Sequence, residues 1–170
     1  MIMTIDRYPL HHQSEVDVTV DVQTLFDYLD DHRRIASHME KPSLMMAGAT
    51  MRVETDALCG QAVGSVIRMT GRVLGMKLSV QEVVTVHAPP LNKTWETRGE
   101  PTLLVIGSYR MGFTVEARGD RTHLAVFIDY CPPISGLSRL LGHIFGPTYA
   151  AWCTRRITAD AITFAEMRPR

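Results

Sequence analysis

The 170-residue sequence lacks long apolar runs, an excess of charge of either sign, and a cysteine framework. No stretch reaches the roughly 18 apolar residues that a membrane-spanning helix needs. Eighteen basic and eighteen acidic side chains balance, so nothing attracts nucleic acid electrostatically. Residues 1–10 lack the basic start and apolar run of a signal peptide. We therefore expect a cytoplasmic protein with no integral membrane segment and no nucleic-acid partner.

Metal and disulfide chemistry also find little support in the sequence. The three cysteines, Cys59, Cys131 and Cys153, are odd in number and show no CxxC spacing. Among the seven histidines, His11 and His12 would point to opposite faces of a strand, and no HExxH motif is present. We expect solvated histidines, no metal and no cofactor.

Methionine is the unusual part of the composition, with ten residues against five phenylalanines. Its unbranched, polarizable side chain fills irregular space and adapts to ligands of varied shape. Two interpretations stay open: a core that uses methionine as filler, or an adaptable pocket.

Glycine and proline turns at regular intervals divide the chain into segments of strand character. Alternating or β-branched residues between the turns predict seven strands, joined by short connections that favour antiparallel pairing of neighbours. The predicted strands cover residues 13–20, 49–55, 63–73, 76–87, 94–98, 103–118 and 122–130.

Two short helices are predicted after the first strand, over 22–28 and from residue 30 or 31 to about 39, with Asp21 as the first N-cap. Charged residues crowd their junction. We interpret this junction as a capped and solvated helix turn. It comprises Asp27, Asp30, Asp31, His32 and Arg33.

Helical spacing returns from residue 135. Leu137, Leu140 and Ile144 share an apolar stripe with Leu141, and we expect this stripe to cover the concave face of the sheet. Gly146-Pro147 then predicts a restart or kink, which would divide the closing helix into two pieces.

Three segments carry a resemblance to a known family: residues 16–20 leading into 21–31, Trp95-Glu96-Thr97 after Pro89-Pro90, and Tyr130-Cys131-Pro132-Pro133 before the last helix. The chain resembles the START-like, SRPBCC or helix-grip superfamily, in its bacterial polyketide cyclase/dehydrase-like branch, over about 12–167. The expected class is α+β: a curved seven-stranded antiparallel sheet, two short helices after strand 1, and a long C-terminal helix across the concave face. We expect one domain over 1–170.

The resemblance implies a cavity between sheet and helix that holds a hydrophobic small molecule or lipid. Some members are cyclases or aromatases, and others only bind or carry. The superfamily shares no single catalytic signature, so no catalytic residue is transferred. The Gly146-Pro147 interruption departs from the continuous helix that is usual in the family.

Strand alternation sorts side chains by face and predicts which of them meet the enclosed space. Leu103 and Val105 fall inward with the fifth meander strand. Trp95 falls inward in one phase of its short strand, and the opposite phase stays open. The candidate ligand-binding residues are Met69, Val84, Trp95, Tyr109, Met111, Phe113, Ile128 and Tyr130 from the sheet and Tyr149, Trp152 and Cys153 from the last helix.

Glu82 lies in phase with the inward residues Val80, Val84 and Val86 of its strand. An unpaired buried carboxylate is costly, so Glu82 must be paired, protonated or near an opening. Two interpretations stay open: a polar anchor or acid–base group in the cavity, or a residue displaced outward by a β-bulge.

Three functions are compatible with these patterns. The first is a binding module for a hydrophobic small molecule or lipid. The second is a cyclase, aromatase or dehydratase in which Glu82, Tyr109 or Tyr130 moves protons. The third is a domain whose C-terminal helix recognises a partner, which an exposed apolar patch on that helix would favour. Homodimerisation is left open.

Overall fold

The computed structural model describes residues 7–46, 48–134 and 136–168, without the side chain of Met45. Its elements follow the expected order of strand, two helices, six-strand meander and long helix. The strands are β1 Leu10–Val18, β2 Thr50–Thr55, β3 Val66–Val73, β4 Met76–Ala88, β5 Asn92–Thr97, β6 Tyr109–Arg118 and β7 Arg121–Tyr130. The helices are α1 Val22–Asp30, α2 His32–Glu40 and α3 Gly136–Glu166, with a short 3₁₀ turn at Leu44–Met46.

The seven strands form one antiparallel sheet in the order β1-β7-β6-β5-β4-β3-β2. Short turns join β3 to β4, β4 to β5 and β6 to β7, longer segments join β2 to β3 and β5 to β6, and β1 completes the order by pairing with β7. The register aligns inward residues across strands, for example Trp95 with Met111 and Met111 with Ile128. The predicted α+β helix-grip class is confirmed.

Aspartates start both short helices, as predicted. Asp21 accepts a hydrogen bond from the backbone N–H of Thr24 at 2.9 Å, and Asp31 accepts one from that of Arg33 at 3.1 Å. These bonds satisfy donors that have no partner inside the helix. Leu25, Phe26 and Leu29 fix the buried side of α1.

The second half of α3 packs on the sheet through small and medium side chains. Ala150, Cys153, Ile157 and Ala161 are buried there, and the small residues allow a close approach of the helix to the strands. Within the described residues, no helix is long and apolar enough to cross a membrane.

α3 is a single helix of 31 residues that contains Pro147, so the prediction of two separate pieces is wrong. A proline inside a helix removes one backbone hydrogen bond to the residue four positions earlier, here His143. Both Pro147 and His143 lie on the exposed side of α3, where water can satisfy the freed carbonyl.

The apolar stripe at the start of α3 was expected to cover the sheet, and this is also wrong. Leu137, Leu140 and Ile144 are 71%, 58% and 57% exposed. The protein-facing side is formed instead by Gly142 and Gly146. A Cβ atom on Gly142 would lie 2.4 Å from a ring carbon of Pro133 and 2.9 Å from the Val105 carbonyl, so only glycine permits this approach.

The fifth meander strand begins at Tyr109 instead of residue 103. Pro101 lies in the preceding segment and cannot donate to a ladder, and the segment runs irregularly with one bridge between Ser79 and Thr102. The predicted strand is therefore wrong for 103–108. Leu103 and Val105 nevertheless border the enclosed space, as part of a loop.

Candidate functional site

An apolar cavity of about 80 Å³ lies between the concave face of the sheet, α2 and α3. Side chains from β2 to β7 form its floor, residues 103–106 close one side, and Tyr149, Cys153 and Ile157 come from α3. Five methionines of the described chain line it. They are Met39, Met46, Met51, Met69 and Met111.

Glu82 reaches this cavity because β4 keeps its alternation up to that point. The β-bulge in β4 lies between Val84 and Val86, beyond the glutamate. Glu82 therefore stays inward and is 1% exposed, whereas Val86, which we expected inward, is shifted outward and is 41% exposed. The bulge interpretation applies to Val86 and fails for Glu82.

Two side chains hold the Glu82 carboxylate. His32 Nε2 lies 2.9 Å from Oε2, and the Tyr109 hydroxyl donates to Oε1. All three side chains are buried and line the cavity. The His32 imidazole packs nearly perpendicular to the Trp95 ring, with 4.9 Å between ring centroids. The three polar residues form a connected network at the sheet side of the cavity.

Burial, reinforced by the neighbouring Glu82 charge, raises the pKa of Tyr109 well above its usual value. Tyr109 therefore stays protonated and acts as a hydrogen-bond donor at neutral pH. His32 Nδ1 is buried and has no hydrogen-bond partner among the described residues. His32 Nδ1 is therefore free to bond to a ligand. The Glu82 carboxylate can bind a polar group of a ligand or accept a proton from it.

Tyr149 and Cys153 occupy the α3 side of the cavity. The Tyr149 hydroxyl lies 3.7 Å and 3.8 Å from the sulfur atoms of Met46 and Met39. Burial raises the pKa of the Cys153 thiol to about 12 and also raises that of Tyr149. Both groups are therefore neutral, and this side of the cavity offers soft contacts instead of charge.

His38 is the second imidazole that faces the cavity. It is 9% exposed, and neither ring nitrogen makes a hydrogen bond of normal geometry within the described part of the chain. Burial lowers its pKa from 6.5 to about 4, although the nearby Ile35 carbonyl opposes the shift. The ring meets Trp152 edge-on at 5.0 Å.

A separate buried ion cluster joins α1 to the sheet. Lys93, which is fully buried, donates from Nζ to the Asp30 carboxylate at 2.8 Å and to the Asp30 carbonyl at 2.7 Å. His87 Nε2 lies 3.0 Å from the same carboxylate. Burial lowers the pKa of Lys93, and the adjacent Asp30 opposes that shift.

The expected solvated helix turn is therefore only partly found. Asp27 and Arg33 are exposed and Asp31 caps α2, but Asp30 and His32 are buried at 8% and 2% exposure. The expectation of solvated histidines is wrong for His32, His38 and His123. Asp30 and His32 are buried because the end of α1 and the start of α2 turn them toward β5 and β4, where Lys93 and Glu82 are their partners.

The structure brings most of the predicted ligand-binding residues to the cavity, and four lie elsewhere. Those that line it are Met69, Trp95, Tyr109, Met111, Ile128, Tyr149 and Cys153. Val84 and Phe113 are buried outside the lining, where Phe113 packs on Phe26 with ring centroids 5.6 Å apart. Tyr130 packs beside Gly146, and Trp152 covers His38.

Sequence reasoning missed the contribution of α2, which supplies His32, Ile35, His38 and Met39. Their spacing of three and four residues on one helix is the signal that could have found them. Lys93 was also missed, because the predicted strand begins at Thr94, whereas β5 begins at Asn92. Lys93 lies two residues from Trp95 and so shares the face of that residue. Within the described ranges, no three His, Cys, Asp or Glu side chains are placed to hold a metal ion.

Neither a family model nor a curated protein matches the sequence. Solved structures do match it. The Zhui aromatase/cyclase from Streptomyces sp. R1128 aligns with a TM-score of 0.60 at 14% identity, over 89% of this chain and 93% of its own. Norcoclaurine synthase from Thalictrum flavum, in complex with dopamine and hydroxybenzaldehyde, aligns with a TM-score of 0.60 at 17% identity, over 95% and 89%.

The structure of Ara h 8.0201 also aligns, with a TM-score of 0.57 at 12% identity over 91% of this chain and 98% of its own. These alignments cover nearly the whole of each chain. The protein therefore has the fold of the START-like, SRPBCC superfamily, which confirms the resemblance at the level of the fold.

Proposed function

We propose that this protein binds a hydrophobic small molecule between the concave sheet and α3. The observation that carries the proposal is a cavity whose wall is mainly apolar yet contains the paired, buried carboxylate of Glu82. Ligand sites in proteins combine these two features, an apolar wall and a few fixed polar groups. A ligand with an apolar body and one polar group would suit it.

The cavity is too small for an aromatic ligand unless its wall moves when the ligand binds. Its volume of about 80 Å³ is smaller than the roughly 150 Å³ of a cavity that binds benzene. The five lining methionines are the side chains best able to enlarge it, because each has three rotatable bonds and no branch. The loop of residues 103–106 adds a wall without regular hydrogen bonding. Of the two interpretations of the methionine content, this proposal adopts the adaptable pocket.

The fold neighbours support this class of ligand. The norcoclaurine synthase structure is a complex with two small aromatic molecules, dopamine and hydroxybenzaldehyde. Aromatic compounds with a polar substituent are therefore our first choice of ligand class, ahead of lipids.

A titration with N-phenyl-1-naphthylamine, an uncharged aromatic probe, tests the proposal. Trp95 lines the cavity, so bound probe should quench its emission by energy transfer. Val80→Phe should fill the cavity and weaken binding by about tenfold or more, because overpacked space excludes the probe. Val86→Phe, on the exposed side of the same strand, is the matched control and should bind as the wild type does.

The outcome against the proposal is equally clear. If the probe does not bind, or if Val80→Phe binds it as well as Val86→Phe does while thermal unfolding shows that both are folded, the cavity is not a ligand site.

The buried network of Glu82, Tyr109 and His32 supports a second candidate, an acid–base enzyme of the cyclase or dehydratase type. A carboxylate shielded from water is a stronger base toward carbon acids than one in solution. The opening of 5-nitrobenzisoxazole, which requires removal of one C–H proton, reports such a base. We expect the wild type to accelerate this ring opening over the rate in buffer. Glu82→Gln should abolish that acceleration, and Glu54→Gln, at an exposed site, should retain it. A wild-type rate equal to that of Glu82→Gln would reject this candidate.

A further inference from the structure

The first turns of α3 expose their apolar side to solvent. Leu137, Leu140, Ile144 and Phe145 are 71%, 58%, 57% and 51% exposed. Ile134, just before the helix, is 74% exposed. We call the four helical residues the outer face of α3. An exposed apolar patch of this kind marks a site of interaction, because soluble surfaces seldom group large apolar side chains.

The outer face is an ordered stripe and not a random scatter. Its residues follow the spacing i, i+3, i+7 and i+8, which places them on one side of a helix. The opposite side carries Gly142 and Gly146, which lie against the Val105 carbonyl and Pro133. This part of α3 therefore has the reverse of the usual orientation of an amphipathic helix. Its glycines pack against the protein, and its large apolar side chains face solvent.

The charged residues in the first two thirds of α3 are all basic. Between Asp129 and Asp160 the sequence contains no acidic residue, while it contains Arg139, Arg155 and Arg156. Arg139 lies within the outer-face segment and is exposed. An apolar helix face whose nearest charged residue along α3 is an arginine complements an anionic lipid surface. Two copies paired through the same face would instead bring their Arg139 side chains into one interface.

We propose that the outer face of α3 docks on a membrane surface that contains anionic lipid. Leu137, Leu140, Ile144 and Phe145 enter the boundary between headgroups and acyl chains, and Arg139 binds lipid phosphates. The helix lies in the plane of the interface and does not span the bilayer.

Docking in this orientation would have a consequence for the cavity, which rests on the proposed binding function. Val105 both lines the cavity and contacts the inner, glycine side of α3. The membrane would therefore lie against helix turns that contact Val105, one of the residues in the cavity wall. A hydrophobic ligand could pass between bilayer and cavity there with little exposure to water.

Cosedimentation with vesicles tests the proposal. The full chain should bind vesicles of phosphatidylcholine with phosphatidylglycerol, and added salt or vesicles of phosphatidylcholine alone should weaken binding. The double variant Leu140→Glu/Ile144→Glu should lower the partition coefficient by about tenfold or more, because two carboxylates oppose insertion and repel anionic lipid. Arg139→Gln should reduce the dependence on phosphatidylglycerol.

Leu91→Glu is the matched control. Leu91 is 54% exposed and lies in the β4–β5 hairpin, at the end of the sheet away from the start of α3. The Leu91→Glu variant should bind vesicles as the wild type does. The proposal would be overturned if the wild type did not bind vesicles that contain phosphatidylglycerol, or if Leu91→Glu lost as much binding as the double variant. So would a wild-type dimer in size-exclusion chromatography that the double variant turns into a monomer without any vesicle binding.

The two proposals fail separately. The double variant should keep its affinity for N-phenyl-1-naphthylamine, because neither changed residue lines the cavity. Vesicle binding without probe binding would leave the docking surface in place and remove the ligand site, and the reverse result would remove only the docking surface.

Discussion

Buried polar side chains define the cavity at the scale of single residues. Both carboxylate oxygens of Glu82 make hydrogen bonds, whereas one ring nitrogen of His32 and both of His38 have no partner in the described chain. An unsatisfied buried polar group costs roughly 1–3 kcal/mol. A ligand that bonded to either imidazole would recover part of that cost, so these nitrogens favour a ligand that carries a hydroxyl or carbonyl group.

His38 should make stability depend on pH. Burial lowers its pKa from 6.5 to about 4 in the folded protein, so below pH 6.5 the unfolded chain binds more protons than the folded one. The free energy of unfolding therefore falls as pH falls through this window, by about 3 kcal/mol between pH 7 and pH 4 from His38 alone. Urea unfolding should show that His38→Gln removes this part of the pH dependence.

His143→Gln provides the control, because His143 is an exposed histidine on α3. Its pH dependence should match that of the wild type. If His38→Gln also matched the wild type between pH 4 and pH 7, the burial of a neutral His38 would be contradicted.

Glu82 shows what the sequence can and cannot predict at a single position. Its inward phase followed from the alternation of β4, and the structure confirms that it is buried. Its partners could not be predicted, because His32 and Tyr109 are 50 and 27 residues away along the chain. Only the register of the sheet and the placement of α2 bring them together.

At the scale of elements, Asp30 links α1 to β5 through Lys93. Removing one member of a buried ion pair leaves an uncompensated charge, which typically costs about 3–5 kcal/mol. We expect Asp30→Asn to lower the free energy of unfolding by about that amount, measured by urea denaturation. The reason is that Lys93 is fully buried, and the neutral amide of an asparagine at position 30 would not balance the charge of Lys93.

Asp31→Asn makes the same chemical change one residue later. Because asparagine caps helices nearly as well as aspartate, it should cost less than about 0.5 kcal/mol. Equal losses in the two variants would show that the Asp30–Lys93 pair does not join α1 to the sheet.

The order of elements was more predictable than their ends and faces. Turn residues and strand alternation predicted the meander and both helix caps, because those signals are local. The faces of α3 were not predictable from its apolar spacing. The stripe from Leu137 to Ile144 looks like a core-facing stripe, and only the close packing at Gly142 turns it outward.

At the scale of the whole molecule, the account depends on a small cavity that opens to admit a ligand. The protein has the required parts: a curved sheet that forms the floor, one long helix that closes it, and methionines between them. The cavity wall is mainly apolar, so the affinity for a ligand should come mainly from apolar contact. The wall must move at its side chains and at the loop of residues 103–106, because hydrogen bonds between neighbouring strands hold the sheet in place.

The most direct test is an NMR titration of protein labelled with ¹³C at its methionine methyl groups, using N-phenyl-1-naphthylamine as the ligand. We predict chemical-shift changes at the five methionines that line the cavity, Met39, Met46, Met51, Met69 and Met111. The exposed Met76 and Met167 should not shift. Shifts confined to Met76 or Met167, or no shift at the five cavity methionines at saturating probe, would contradict a ligand site between the sheet and α3.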